Sequence, residues 1–176
     1  MEVCHQDGHR INPDWLEKEL ADFYLYFHSL NERTFCDAEK HPRLLEYIDF
    51  YYEYEFSAKL INLAIQLRTY DDKLSLYSDE DGIKTDFSAE QFSCGTLKVT
   101  KRNNVQESDL NLREAFNKII HADTVGNDVV CHSNNQTLQV KLENTKGAWE
   151  ATIDLNQFVF SSIDFVLKAD EILCDF

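Results

Sequence analysis

Five stretches of the chain repeat apolar residues at intervals of three and four, the spacing of an α-helix with one buried face. Asn12-Pro13 and His41-Pro42 open the first two, because Pro suits the first position of a helix. The second stretch either continues into the third or bends near Ser57, so the pattern predicts four or five helices. The clearest stripes are Leu16, Leu20, Phe23, Phe27 and Leu30 in the first and Phe56, Leu60, Leu63, Leu67, Tyr70 and Leu74 in the third.

The fourth and fifth stretches carry helix-start signals. The fourth lies between Asp109 and Ala122, where Asn111 followed by Glu114 resembles a capping box. Asp154, with Gln157 three residues later, predicts the start of the last helix. The buried face is predicted to consist of Leu112, Ala115, Phe116, Ile119 and Ile120 in the fourth stretch and of Leu155, Phe158, Ser162, Phe165, Ala169 and Ile172 in the fifth.

Strand-like alternation is confined to a few short segments. One strand is predicted at residues 96–100, and the polar segment 124–135 is predicted as a loop or as an irregular strand around Val129-Val130. The clearest hairpin has Leu138, Val140 and Leu142 on one side of a turn at Gly147 and Trp149, Ala151 and Ile153 on the other.

These patterns predict a mainly α fold of the α+β class. It is a helical bundle of four to five helices, with a small antiparallel β-hairpin inserted before the last helix. The length of 176 residues suits a single domain, residues 1–176. Within it we expect a flexible lead-in at 1–11, a polar insertion at 75–107 and the hairpin at 136–154.

Composition narrows the classes of partner. The net charge of −15 disfavours a broad nucleic-acid-coating surface, because phosphate binding depends on Lys and Arg. The same charge steers association with a basic protein.

Five widely spaced cysteines without a C-x-x-C pair predict free thiols in a reducing cytoplasm. No secretory signal and no membrane span is predicted. Neither a metal nor a cofactor is expected, because no zinc, nucleotide or hydrolase motif is present.

The fourth helix carries the candidate site. Arg113, Asn117 and His121 lie four residues apart, and the row drifts by only about 80° around the helix, so they form one polar stripe. In a bundle, that stripe faces Arg68 and Asp72 of the preceding helix. The structural alternative has His121 ending the helix and Arg113 paired with a neighbouring carboxylate.

The segment R-E-A-F-N-K-I-I-H, residues 113–121, resembles the motif of the HEPN superfamily, in which an Arg and a His share one helix of a small bundle. The resemblance implies a homodimer that cuts RNA without metal, as in toxins and phage-defence effectors, or an inactive binding module. It assigns His121 as the catalytic histidine, Arg113 as the arginine and Asn117 as the polar helper. Lys118 is the alternative cation, because the interval from Arg113 to His121 is longer than the family motif.

Two functional hypotheses follow. The first is a metal-independent ribonuclease, in which His moves the 2′-OH proton and Arg stabilises the phosphate charge. The second is a non-enzymatic acidic interaction protein, such as an immunity factor, antitoxin or inhibitor, that binds a basic protein.

Overall fold

A computed structural model describes residues 12–29, 42–80, 87–101, 104–122, 129–132, 137–144 and 148–174. The helices are α1 (Pro13–Ser29), α2 (Pro42–Glu80), α3 (Leu112–Ile120) and α4 (Leu155–Cys174), with a short 3-10 helix at Ala89–Gln91. The strands are β1 (Ser93–Lys101), β2 (Asn104–Asn111), β3 (Val129–His132), β4 (Thr137–Glu143) and β5 (Trp149–Asp154). The expected lead-in at 1–11 lies outside the described residues.

The helix-start signals and the apolar stripes of the first and third stretches are confirmed. The Asn12 side chain accepts a hydrogen bond from the Asp14 N–H at 2.9 Å, and Asp154 accepts one from the Gln157 N–H at 3.0 Å. Within the described residues the predicted stripes of the first and third stretches are buried. The second and third stretches form one continuous helix, α2.

The predicted helical bundle is wrong. The described residues form a five-stranded antiparallel sheet in the order β2-β1-β5-β4-β3, and the expected hairpin, β4 and β5, is only part of it. The fold is therefore α+β with the sheet as a principal layer. Its inner face carries the apolar residues Leu97, Val140, Leu142, Ala151 and Ile153, all buried.

The extent of the sheet is not evident from the sequence because β2 lacks a strand-like sequence pattern. Six consecutive residues of β2 are exposed, so no alternation of apolar and polar positions marks it. The stretch expected as a polar insertion, 75–107, contains the end of α2, the 3-10 helix, β1 and the first half of β2. The predicted start of the fourth helix at Asn111 is confirmed, and the two residues before it, Asp109 and Leu110, belong to β2.

Helices cover the inner face of the sheet. α3 and α4 contact the strands directly, while α1 packs against α4 and α2 packs against α3. Aromatic side chains fill the junction between α2, α4 and the start of β1, where Phe165 contacts the rings of Tyr70, Phe87 and Phe92. Among the described helices, none is both long and apolar enough to cross a membrane.

Candidate functional site

Local sequence determines how α3 presents its polar side chains. The Asn111 side chain accepts a hydrogen bond from the Glu114 N–H at 2.8 Å, which satisfies one unpaired donor of the first turn and starts the helix there. The apolar face then buries Leu112, Ala115, Phe116 and Ile119 against the core. Arg113 and Asn117, which lie between these positions, are therefore left half-buried at the edge of that face.

Arg113 reaches across to α2. Its Nη1 donates to Asp71 Oδ2 at 2.8 Å and lies 3.4 Å from the Arg68 carbonyl oxygen, and its Nη2 donates to Asp72 Oδ1. Arg68 Nε lies 3.9 Å from the other Asp72 oxygen. The structure thus brings together Arg113, Arg68 and Asp72 of the predicted site. Burial alone would lower the pKa of the Arg113 guanidinium. The hydrogen bond to Asp72 and the charges of both carboxylates outweigh this effect and raise that pKa.

Asp71 is the buried member of this cluster. Its side chain is only 5% exposed, against 49% for Asp72. Besides Arg113, it accepts a hydrogen bond from the Ala89 N–H at 2.9 Å, so one carboxylate joins α2, α3 and the 3-10 helix. Burial raises the pKa of Asp71, against the opposing effects of the Ala89 N–H and the Arg113 charge.

His121 lies at the other end of α3. It is the C-terminal capping residue, its backbone N–H donates to the Asn117 carbonyl at 3.1 Å, and it is exposed. Eight residues of helix correspond to about 12 Å of axial rise between Arg113 and His121. The Arg113 guanidinium is directed towards Asp71 and Asp72, whereas His121 is exposed at the end of α3. The two predicted catalytic side chains therefore lie in different environments.

Lys118 has a packing role. Its Nζ lies 3.0 Å from Glu114 Oε1, one turn earlier, and 4.6 Å from the centre of the Trp149 ring. The side chain is only 16% exposed. The ammonium therefore joins α3 to β5 through an ion pair and a cation–π contact.

Sequence reasoning named Asp72 as a facing residue but not Asp71, which makes the more buried contact. A signal for it existed: Asp71 follows Leu67 by four and precedes Leu74 by three, which places it on the buried face of α2. A carboxylate on such a face requires a partner, and Arg113 supplies it.

A separate groove runs between α1 and α2. It has a volume of about 430 Å³ and is lined by Glu19, Asp22, Glu55, Lys59 and Asn62 beside the apolar Phe23, Ala58 and Leu63. Lys59 Nζ lies 3.7 Å from Glu55 within this groove. In the described part of the chain, no three His, Cys, Asp or Glu side chains are grouped to hold a metal ion.

Comparison with known proteins gave no match to a protein-family model, a curated protein or a solved structure.

Proposed function

We propose that the chain is a non-enzymatic acidic protein that binds a basic protein partner, as an immunity factor, antitoxin or inhibitor does. The observation that carries the proposal is the state of the cations at the candidate site. Arg113, Arg68 and Lys118 each lie within 4 Å of a carboxylate of the same chain. These cations serve internal pairs, and the chain as a whole keeps a net charge of −15.

Physical chemistry favours a cationic partner for such a surface. A large excess of one sign of charge accelerates association with the opposite sign and repels the same sign. RNA would need cations on this chain to replace its counterions. Because the cations of the α3 stripe are already paired, they offer less to a phosphate than free side chains would.

The test is co-expression of this chain with the protein encoded beside it, if that protein has a pI above about 9. We expect a stable complex whose dissociation constant rises steeply with salt, because screening weakens contacts between exposed charges. A complex whose affinity does not change with salt, or no complex with any basic neighbour, would contradict the proposal.

A metal-independent ribonuclease of the HEPN-like kind is the second proposal. Its support is the exposed position of His121 at the end of α3, where the imidazole is accessible to a substrate. It predicts cleavage of total RNA in EDTA by the purified protein, lost in His121→Ala. Equal RNA patterns for the parent and for His121→Ala would remove this proposal and leave the first one standing.

A further inference from the structure

The outermost strand of the sheet, β2, is open to solvent in an unusual way. Residues 104–109 are all exposed, so both faces of the strand are uncovered over most of its length. By contrast, β5 has two buried residues on its inner face, Ala151 and Ile153. β2 pairs with β1 along one edge and is the last strand of the sheet as described.

The hydrogen bonds of β1 identify which backbone groups of β2 point outwards. The Thr100 N–H donates to the Ala148 carbonyl at 3.0 Å, so the backbone N–H and C=O groups of Thr100 point towards β5. In an antiparallel strand successive residues direct their N–H and C=O to opposite edges. The backbone N–H and C=O groups of Val99 and Leu97 therefore point towards β2.

The register carries this alternation across to the outer strand. Leu97 and Val99 pair with Ser108 and Gln106, so the even-numbered residues of β2 direct their backbone groups towards β1. The Leu112 N–H, which donates to the Phe92 carbonyl at 2.8 Å, follows the same alternation. The odd-numbered residues Val105, Glu107 and Asp109 consequently direct their N–H and C=O groups to the free edge, the edge that no other described strand occupies.

Two of the side chains along this edge, Glu107 and Asp109, are acidic. In the strand register Glu107 lies opposite Lys98 of β1 and Asp109 lies opposite Thr96. All four side chains are on the sheet face opposite to buried Leu97. The described strand β2 contains these two carboxylates and no cation. A second copy of the chain is a poor occupant, because its own Glu107 and Asp109 and its own charge of −15 would repel.

We propose that the free edge of β2 binds an extended basic segment of a protein partner as a sixth strand of the sheet. The backbone groups of Val105, Glu107 and Asp109 pair with the segment. Cationic side chains two residues apart lie opposite Glu107 and Asp109, because alternate residues of a strand share a face. This inference rests on the proposed function of binding a basic protein and assigns its surface.

The probe is a fluorescent peptide of alternating Lys and Val residues, with a same-charge peptide containing Pro at alternate positions as its control. Val105→Pro removes one outward N–H without changing charge, and Pro is tolerated on an edge strand where its N faces solvent. We expect this variant to weaken binding of the Lys-Val peptide by about tenfold, the worth of one hydrogen bond at the upper end of its range. Anisotropy titration measures the affinity.

A second variant tests the charges. Glu107→Gln with Asp109→Asn is expected to weaken binding by about tenfold and to reduce its salt dependence. The matched control, Glu19→Gln with Glu55→Gln, removes the same charge from the α1–α2 groove and should leave affinity within about twofold. If Val105→Pro does not fold, judged by its circular dichroism, the two charge variants decide.

Three outcomes overturn the inference. The first is equal binding of the Lys-Val and Pro-containing peptides, and the second is a larger loss in the groove variant than in the Glu107/Asp109 variant. The third is failure of the parent to bind the Lys-Val peptide. If a basic neighbour protein still binds with salt sensitivity in any of these cases, the proposed function stands and only its assignment to β2 fails.

Discussion

The Arg113 guanidinium and the Asp71 carboxylate lie 2.8 Å apart and form the most buried of the ion pairs that join α3 to α2. The Asp71 side chain is almost fully buried, whereas the Arg113 side chain is 24% exposed. A buried carboxylate is costly unless its charge is paired and its lone pairs accept hydrogen bonds. Asp71 has both, from Arg113 and from the Ala89 N–H. The residue first considered as a catalytic arginine is thus a structural partner of a buried acid.

Arg113→Leu should destabilise the protein by about 2–3 kcal/mol. The substitution leaves Asp71 buried without its cation, which costs about 3–5 kcal/mol for a fully buried pair and less here because Arg113 is partly exposed. Urea denaturation at neutral pH measures the change. The matched control is Arg68→Leu, whose pair with Asp72 is longer and more exposed and should contribute less than about 1 kcal/mol. Equal losses for the two variants would contradict this role of Arg113.

The stability contributed at Asp71 should fall as pH rises. Burial raises the pKa of this carboxyl above its ordinary value of 3.8, so the folded protein retains the proton over a range where the unfolded chain has lost it. Stability declines with pH wherever the folded state binds more protons. The stability of the parent relative to Asp71→Asn is therefore highest below pH 3.8 and falls as pH rises through the raised pKa. Urea titrations of both proteins at a series of pH values measure it, and a difference that grows with pH would have the wrong sign.

Gly95→Ala should be among the most damaging single substitutions in the sheet. A Cβ at Gly95 would lie 2.0 Å from the Thr152 carbonyl oxygen of β5, a backbone atom that moves only with its strand. We expect a loss of about 3 kcal/mol or more, the range of overpacked and strained sites. Thr96→Ala, one residue along on the exposed face, is the control and should cost less than about 1 kcal/mol. Thermal unfolding of the pair measures the contrast, and similar melting temperatures would contradict the close approach.

Cys94 should resist alkylation until the protein unfolds. Burial, with a smaller effect from the Asp154 charge, raises the pKa of its thiol to about 12. The thiolate is the reactive form, so little of it exists at pH 8 in the folded state. A timed iodoacetamide pulse followed by peptide mass spectrometry should leave Cys94 unmodified, and the same pulse in denaturant should label it. Rapid labelling of Cys94 in the folded protein would contradict its burial.

Helices were predictable because each carried its own periodic signal. The buried residues Leu16, Leu20 and Phe23 of α1 repeat at helical spacing, and the caps at Asn111 and Asp154 have the expected partners. These are local interactions, which a sequence records within a few residues. The continuity of α2 through Ser57 was left open because both alternatives have the same apolar pattern.

The sheet and the Asp71 contact depend on residues distant in sequence. β2 is exposed on both faces, so neither its strand character nor its pairing with β1 is recorded as alternation. Asp71 and Arg113 are 42 residues apart, and no local pattern states that they meet. Helix packing predicts that Arg68 and Asp72 face α3, and the spacing of Asp71 from Leu67 and Leu74 marks it as the buried carboxylate, but neither pattern identifies Arg113 as its partner.

The pairing of β1 with β5 has a consequence for the synthesis of the chain. β1 is completed on one side by β2, only two residues later, but on the other side by β5, where Gly95 meets Ile153 after 58 further residues. During synthesis the edge of β1 that pairs with β5 therefore stays unpaired until most of the second half of the chain has been made. A product that stops before Trp149 presents that edge to other nascent chains, which is a route to aggregation.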